Sequence, residues 1–158
     1  MMKQANKIYL AYGSNLNLPQ MAQRCPYAIV IGRTTLEGYE LLFRGDNNSA
    51  VATVEPKKGG SVPVLLWEIT PRDEESLDRY EGFPKLYRKE TVTVRFNGKP
   101  VGAMIYIMND GWPLGLPGIA YTNTIVEGYK AAGFDLAALR AAVQVTTRRM
   151  PKREKDTM

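Results

Sequence analysis

Apolar residues recur in short, β-branched, roughly alternating runs through the first two thirds of the chain, and at helical spacing through the last third. The run "KIYLAY" predicts a short first strand. "NLPQMAQRC" predicts a short helix with Asn17 as cap and Pro19 in the first turn, where a missing donor costs nothing. "AIVIGRTTL", "YELLF" and "SAVATVE" predict three strands, separated by Gly38 and "GDNN"; "KKGGS" predicts a turn leading into a longer strand, "VPVLLWEIT". The clearest helix is "TPRDEESLDRYEG": Thr70 caps it, Pro71 opens it, Asp73 takes the capping-box position and Gly82 ends it. "YRKETVTVRF" and "PVGAMIYIM" then form a hairpin about Asn97-Gly98, a pair that accepts positive φ at both positions. After the loop "NDGWPLGLPG" come two helical stretches, "AYTNTIVEGYKAAG" and "DLAALRAAVQVTTRR". Clustered strands followed by helices make this an α+β fold with a mostly antiparallel sheet or small barrel. Residues 1–150 read as one domain, and 151–158 as a basic disordered tail.

Composition changes this picture in two places. The formal charge of +5 is concentrated at the end: Arg148 to Met158 hold five basic and two acidic residues, which leaves the body at +2. With no aromatic interleaving, that end reads as a solvated terminus rather than a nucleic-acid arm. The second place is histidine, of which there is none. That excludes a Ser-His-Asp or Cys-His nucleophile and any His-containing zinc site. A proton shuttle near neutral pH must then be a carboxylate, lysine, cysteine or tyrosine with a shifted pKa. The single Cys25 cannot pair internally, no apolar run reaches membrane-spanning length, and the start "MMKQANK" lacks a secretion signal, so a cytoplasmic protein is expected.

Two places can carry chemistry. Glu81 follows Leu77 by four residues and so shares its apolar face, just before the helix ends at Gly82. Desolvation and the negative end of the helix both disfavour its anion and raise its pKa, which suits a general base; a solvated last-turn residue is the other reading. The turn "YGSN" follows the first strand directly. Gly13 admits close approach, successive N–H groups form an anion cradle, and Ser14 and Asn15 add side-chain donors; an ordinary β-turn is the other reading. Ser14 has no G-x-S-x-G surround and no histidine to activate it as a nucleophile. The two places together suit a γ-glutamyl compound: the cradle takes its carboxylate or oxyanion, and the acid moves the proton of its α-amine. "KKGGS" has no following Lys-Ser or Lys-Thr and is no P-loop. Trp67 and Cys25 read as core, and Trp112 as either an entrance wall or a cover for the sheet edge.

"YLAYGSNLN", "LDRYEGFPKLYRKETVTV" and "PGIAYTNTIVEGYKAAGFD" resemble, in order and spacing, the γ-glutamylcyclotransferase-like family, and the resemblance runs over nearly the whole chain up to the tail. It implies a small mixed, mostly antiparallel β-barrel flanked by helices, and release of 5-oxoproline and a free amine from a small γ-glutamyl substrate, without metal or organic cofactor. By the same resemblance the substrate loop is Tyr12, Gly13, Ser14, Asn15 and Leu16. The acid/base is Glu81, Tyr121 lends a hydroxyl, and Tyr87 is a pocket wall, a sheet-packing tyrosine being the other reading. Gly118 stands where the family often has serine, and Tyr129 where a small residue is common; both departures bear on pocket shape and so on substrate identity. A non-catalytic binding module of the same fold is the alternative. Partners other than the substrate, a nucleic acid or a membrane among them, are not expected, and oligomeric state is not legible.

Overall fold

In the computed structural model, which describes residues 5–151, the first strand becomes the axis of the sheet. β1 (Lys7–Ala11) buries Tyr9, Leu10 and Ala11 on both its faces, as a strand flanked on both sides must. It runs antiparallel to β3 (Val51–Ile69), with Tyr9 opposite Trp67, and parallel to β5 (Lys99–Met108), with Tyr9 opposite Met104. β2 (Ile29–Arg44) pairs with β3 and β4 (Tyr87–Phe96) with β5, both antiparallel, giving the order β2-β3-β1-β5-β4. The barrel is a loose one: no ladder joins β2 to β4. The two edges still meet at one end, where Thr34 Oγ1 donates to the Arg95 carbonyl at 2.5 Å. Gly32 lies beside them, and a Cβ there would fall 2.7 Å from the Phe96 ring.

The strand boundaries differ from expectation in one respect. "AIVIGRTTL" and "YELLF" are parts of one strand, β2, and "SAVATVE" and "VPVLLWEIT" are parts of one strand, β3. The expected "KKGGS" turn does not reverse the chain. Glu37 pairs with Ser61 and Tyr39 with Pro56, so the intervening residues form an excursion within β3, relieved at Gly59 with φ 78°. The pairing resumes beyond the excursion, with a register shift between Glu37 and Tyr39, because both halves bury apolar faces, which outweighs a local turn signal. The Asn97-Gly98 hairpin forms as expected, with φ of 52° and 75°.

α1 (Leu18–Arg24) starts at Asn17, whose side chain accepts from Gln20 N. α2 (Pro71–Glu81) carries the full capping box and stops at Gly82 in the left-handed region. The Asp73 carboxylate accepts from Thr70 N at 3.0 Å, Thr70 Oγ1 at 2.9 Å and Tyr27 N at 3.4 Å, so it also ties the β2 entry to the helix. Asp73→Ala is expected to cost about 1–2 kcal/mol, since a cap is lost and buried donors are stranded. The urea midpoint measures it, and an unchanged midpoint contradicts it.

α3 (Ile119–Ala132) and α4 (Leu136–Arg149) pack behind the sheet. On α3, Gly128 lies so close to the first loop that a Cβ would meet Leu16 C at 2.6 Å and Asn17 N at 2.9 Å. On α4, Thr146 Oγ1 accepts from Phe43 N of β2, and Arg149 pairs with Glu40. Trp67 and Cys25 are core residues, and burial pushes the Cys25 thiol up to about 12. No helix among the described residues is long and apolar enough to cross a membrane.

Candidate active site

Where β1 ends, the chain turns through one 3-10 turn over Ser14–Leu16 before entering α1. Leu16 N donates to Gly13 O and Asn17 N to Ser14 O, both at 3.0 Å. The N–H groups of Gly13, Ser14 and Asn15 are thus left without a partner inside the turn. Gly13 is held close: a Cβ would sit 3.2 Å from Ala52 Cβ and 3.6 Å from the Tyr121 hydroxyl. The turn opens on a cavity of about 270 Å³, and Glu81, arriving at the C-terminus of α2, lines the same cavity.

Glu81 is half-buried, and Asn15 Nδ2 donates to its Oε1 at 3.3 Å. Burial pushes its carboxyl up to about 7; the Arg24 guanidinium and the Asn15 hydrogen bond pull the other way and lose. A carboxyl that titrates there is half ionised at neutral pH, and can take a proton and return it. Asn15 Nδ2 also donates to the Tyr9 hydroxyl at 2.8 Å, and Asn15 Oδ1 accepts from Arg24 Nη1 at 2.5 Å. Since arginine only donates, the amide orientation is fixed and its NH₂ must face Glu81.

Tyrosines make most of the remaining wall. Tyr12 donates its hydroxyl to the Tyr106 carbonyl at 2.7 Å, and Tyr87 donates to the Ala52 carbonyl at 2.5 Å. Both phenol groups are therefore spent on backbone and act as fixed walls. Tyr121 differs, because its hydroxyl accepts from Ala52 N at 3.0 Å and keeps its proton as a donor beside Ser14. Ser14 Oγ shares a hydrogen bond with the Tyr80 hydroxyl at 2.8 Å, which joins loop to helix across the cavity. Burial holds the phenols of Tyr9, Tyr12, Tyr87 and Tyr121 above their usual range, so the wall stays neutral through physiological pH.

Of the residues expected from the sequence, Tyr12, Gly13, Ser14, Asn15, Glu81, Tyr87 and Tyr121 all line this cavity. Leu16 does not. It is fully buried and packs beneath the loop against Gly128, so its part is to seat the turn. Gly118 and Tyr129 do not line it either, which corrects the expectation that they shape the pocket. Gly118 caps α3, and Tyr129 is buried edge-on to Phe134. Trp112 is likewise outside it. Sequence reasoning missed Tyr9, Tyr80, Tyr106 and Leu86 in the wall and Arg24 behind it. Tyr80 had a signal, being the neighbour of Glu81; Arg24 had none within its own segment. Among the described residues no group of three or more Cys, Asp or Glu is placed to hold a metal ion.

Comparison with known proteins bears on the family and the fold. Residues 9–124 match the family model described as gamma-glutamyl cyclotransferase, AIG2-like. A gamma-glutamylcyclotransferase from Bos taurus is 28% identical over 138 residues, spanning 82% of this chain and 73% of the relative. A solved gamma-glutamyl cyclotransferase superposes with a TM-score of 0.78 at 25% identity, over 87% of this chain and 86% of that one. A yeast gamma-glutamyl cyclotransferase specific to glutathione superposes at 0.61 with 13% identity, over 93% and 98%, and shares the fold.

Proposed function

The chain belongs to the AIG2-like gamma-glutamyl cyclotransferase family, and from that premise we propose that it cyclises a small γ-glutamyl compound to 5-oxoproline, with Glu81 as acid and base. The observation that carries this reading is the juxtaposition of a half-buried carboxyl titrating near 7 with the loop amides of Gly13 to Asn15, across one cavity. In the proposed reaction Glu81 takes a proton from the substrate α-ammonium. The freed amine attacks the γ-carbonyl and a five-membered ring forms. The loop N–H groups and the Tyr121 hydroxyl hold the substrate carboxylate and the oxyanion as charge develops. The γ-amide C–N bond then breaks as the leaving nitrogen collects that proton from Glu81, and the second proton, shed by the ring nitrogen, passes through the regenerated Glu81 carboxylate to the released amine. Keeping the glutamyl stem curled against the tyrosine wall is a large part of the work, since oriented intramolecular attack is worth about 7–11 kcal/mol. The reading also puts the enzyme in the cytoplasm, in keeping with a single cysteine that cannot pair internally.

The test is a panel of γ-glutamyl amino acids, dipeptides, amines and glutathione, scored for 5-oxoproline. At least one compound is expected to turn over. Its kcat/KM should rise with pH along an acid limb with a midpoint near 7, because only the ionised Glu81 accepts the proton. A compound that binds in the cavity and is never converted would favour the binding-module alternative instead.

A further inference from the structure

Arg24 is the last residue of α1 and does not line the cavity, yet it touches two of the elements that do, the first loop and α2. Its Nη1 donates to Asn15 Oδ1 of the first loop at 2.5 Å, and its Nη2 donates to Gln20 Oε1, one helical turn back, at 2.6 Å. Gln20 is itself braced, because its Nε2 donates to Thr124 Oγ1 of α3 at 3.3 Å. The guanidinium plane meanwhile lies over the Tyr80 ring, with Cζ 3.6 Å from the ring centroid. The fork is thus held through both terminal nitrogens and through its face before any substrate arrives.

The geometry points to Arg24 as a positioning residue that locks the first loop to the catalytic helix, through Asn15 on one side and Tyr80 on the other, and sets the charge that Glu81 faces. The inference rests on the reading of Glu81 as the base. Two physical effects run in the same direction. The cation favours the carboxylate over the neutral acid. By claiming Asn15 Oδ1, it also forces Asn15 to present NH₂, and not C=O, to Glu81, which again favours the carboxylate. The groups facing Glu81 from the packed elements are Asn15 of the first loop, Tyr9 of β1, Tyr12 at its end, Tyr80 beside it on α2, Tyr87 of β4, Tyr121 of α3 and Arg24 of α1. The buried phenols of Tyr9, Tyr12, Tyr87 and Tyr121 stay neutral, so Arg24 supplies the opposing charge.

Two variants of the full chain separate the two effects. Arg24→Gln removes the charge; Arg24→Lys keeps it but cannot serve Asn15 and Gln20 and stack on Tyr80 at once. Glu81 is followed directly by carbon-13 NMR of its carboxyl, alongside the pH profile of 5-oxoproline release. In Arg24→Gln the Glu81 midpoint is expected to rise by about one unit, and kcat/KM at pH 6 to fall about tenfold further than at pH 9. In Arg24→Lys the midpoint is expected to stay near the wild-type value while kcat falls several-fold at every pH. A wild-type midpoint in Arg24→Gln overturns the electrostatic role, and wild-type kcat in Arg24→Lys overturns the bracing role. If Arg24→Gln does not fold, the Lys variant still decides the second. Absence of 5-oxoproline release from the wild-type protein itself would count against the cyclotransferase reading, and the NMR titration would still decide the influence of Arg24 on Glu81.

Discussion

Glu81→Gln is expected to lower 5-oxoproline release by roughly 10²–10⁴-fold, the usual worth of a placed acid–base group, while making the folded protein more stable at alkaline pH. The second half follows from the same burial as the first. The folded carboxyl titrates near 7 against its ordinary 4.5, so the neutral form is the one the fold prefers. The stability this lends is full below about 4.5, and is lost as pH rises through 7 and the buried group must ionise. Glutamine holds the neutral shape at every pH. Wild type and variant should therefore unfold at similar denaturant concentrations near pH 4, and separate progressively above it. The gap by pH 8 should be about 1–3 kcal/mol, discounted from the full shift because the side chain is only half-buried. Activity lost with stability gained distinguishes removal of a base from collapse of the site. Comparable turnover by the two proteins would take Glu81 out of the mechanism. A stability gap that does not grow with pH would contradict the shifted titration.

Gly128→Ala should be the most damaging change outside the cavity. A Cβ at that position would lie 2.6 Å from both the carbonyl carbon and the Cβ of Leu16, and 2.9 Å from Asn17 N. These are backbone and root atoms with no rotamer to turn, so either α3 or the first loop must move. Alanine gains about 1 kcal/mol as a helix former, yet overpacking of this kind costs about 1–3 kcal/mol and occasionally more. With contacts this short to backbone atoms the cost falls at the top of that range, so a net loss of about 2 kcal/mol is expected in urea unfolding. At temperatures where the variant is still folded, a fall in kcat/KM of about tenfold or more is expected, because Leu16 carries the turn whose amides face the substrate. A variant with wild-type stability and wild-type kinetics would show that the loop has slack the geometry denies it.

What the sequence made legible was local. The capping box at Thr70 and Asp73, the left-handed stop at Gly82 and the Asn97-Gly98 turn each need only a few neighbouring residues, and each appears where expected. The loop and Glu81 were legible as a pair because a strand end and a helix end leave backbone groups unsatisfied, and a resemblance linked them. What stayed hidden was long-range. The excursion in β3 looks like a turn until the pairing with β2 is seen to resume beyond it. Leu16 belongs to the loop string but faces the core, because Gly128 leaves it a space there. Arg24 and Tyr9 reach the site by packing between elements, and nothing in the spacing of their own segments marks them.

The way the two outermost strands end has a consequence for behaviour at high concentration. An unpaired strand invites a neighbouring chain to add to it, which is a route to aggregation. Here the Arg95 carbonyl of β4 already accepts from Thr34 of β2, and the outward Phe43 amide of β2 is taken by Thr146 of α4. Each edge strand thus has one backbone group occupied from within the same molecule, which shortens the template a second copy could extend.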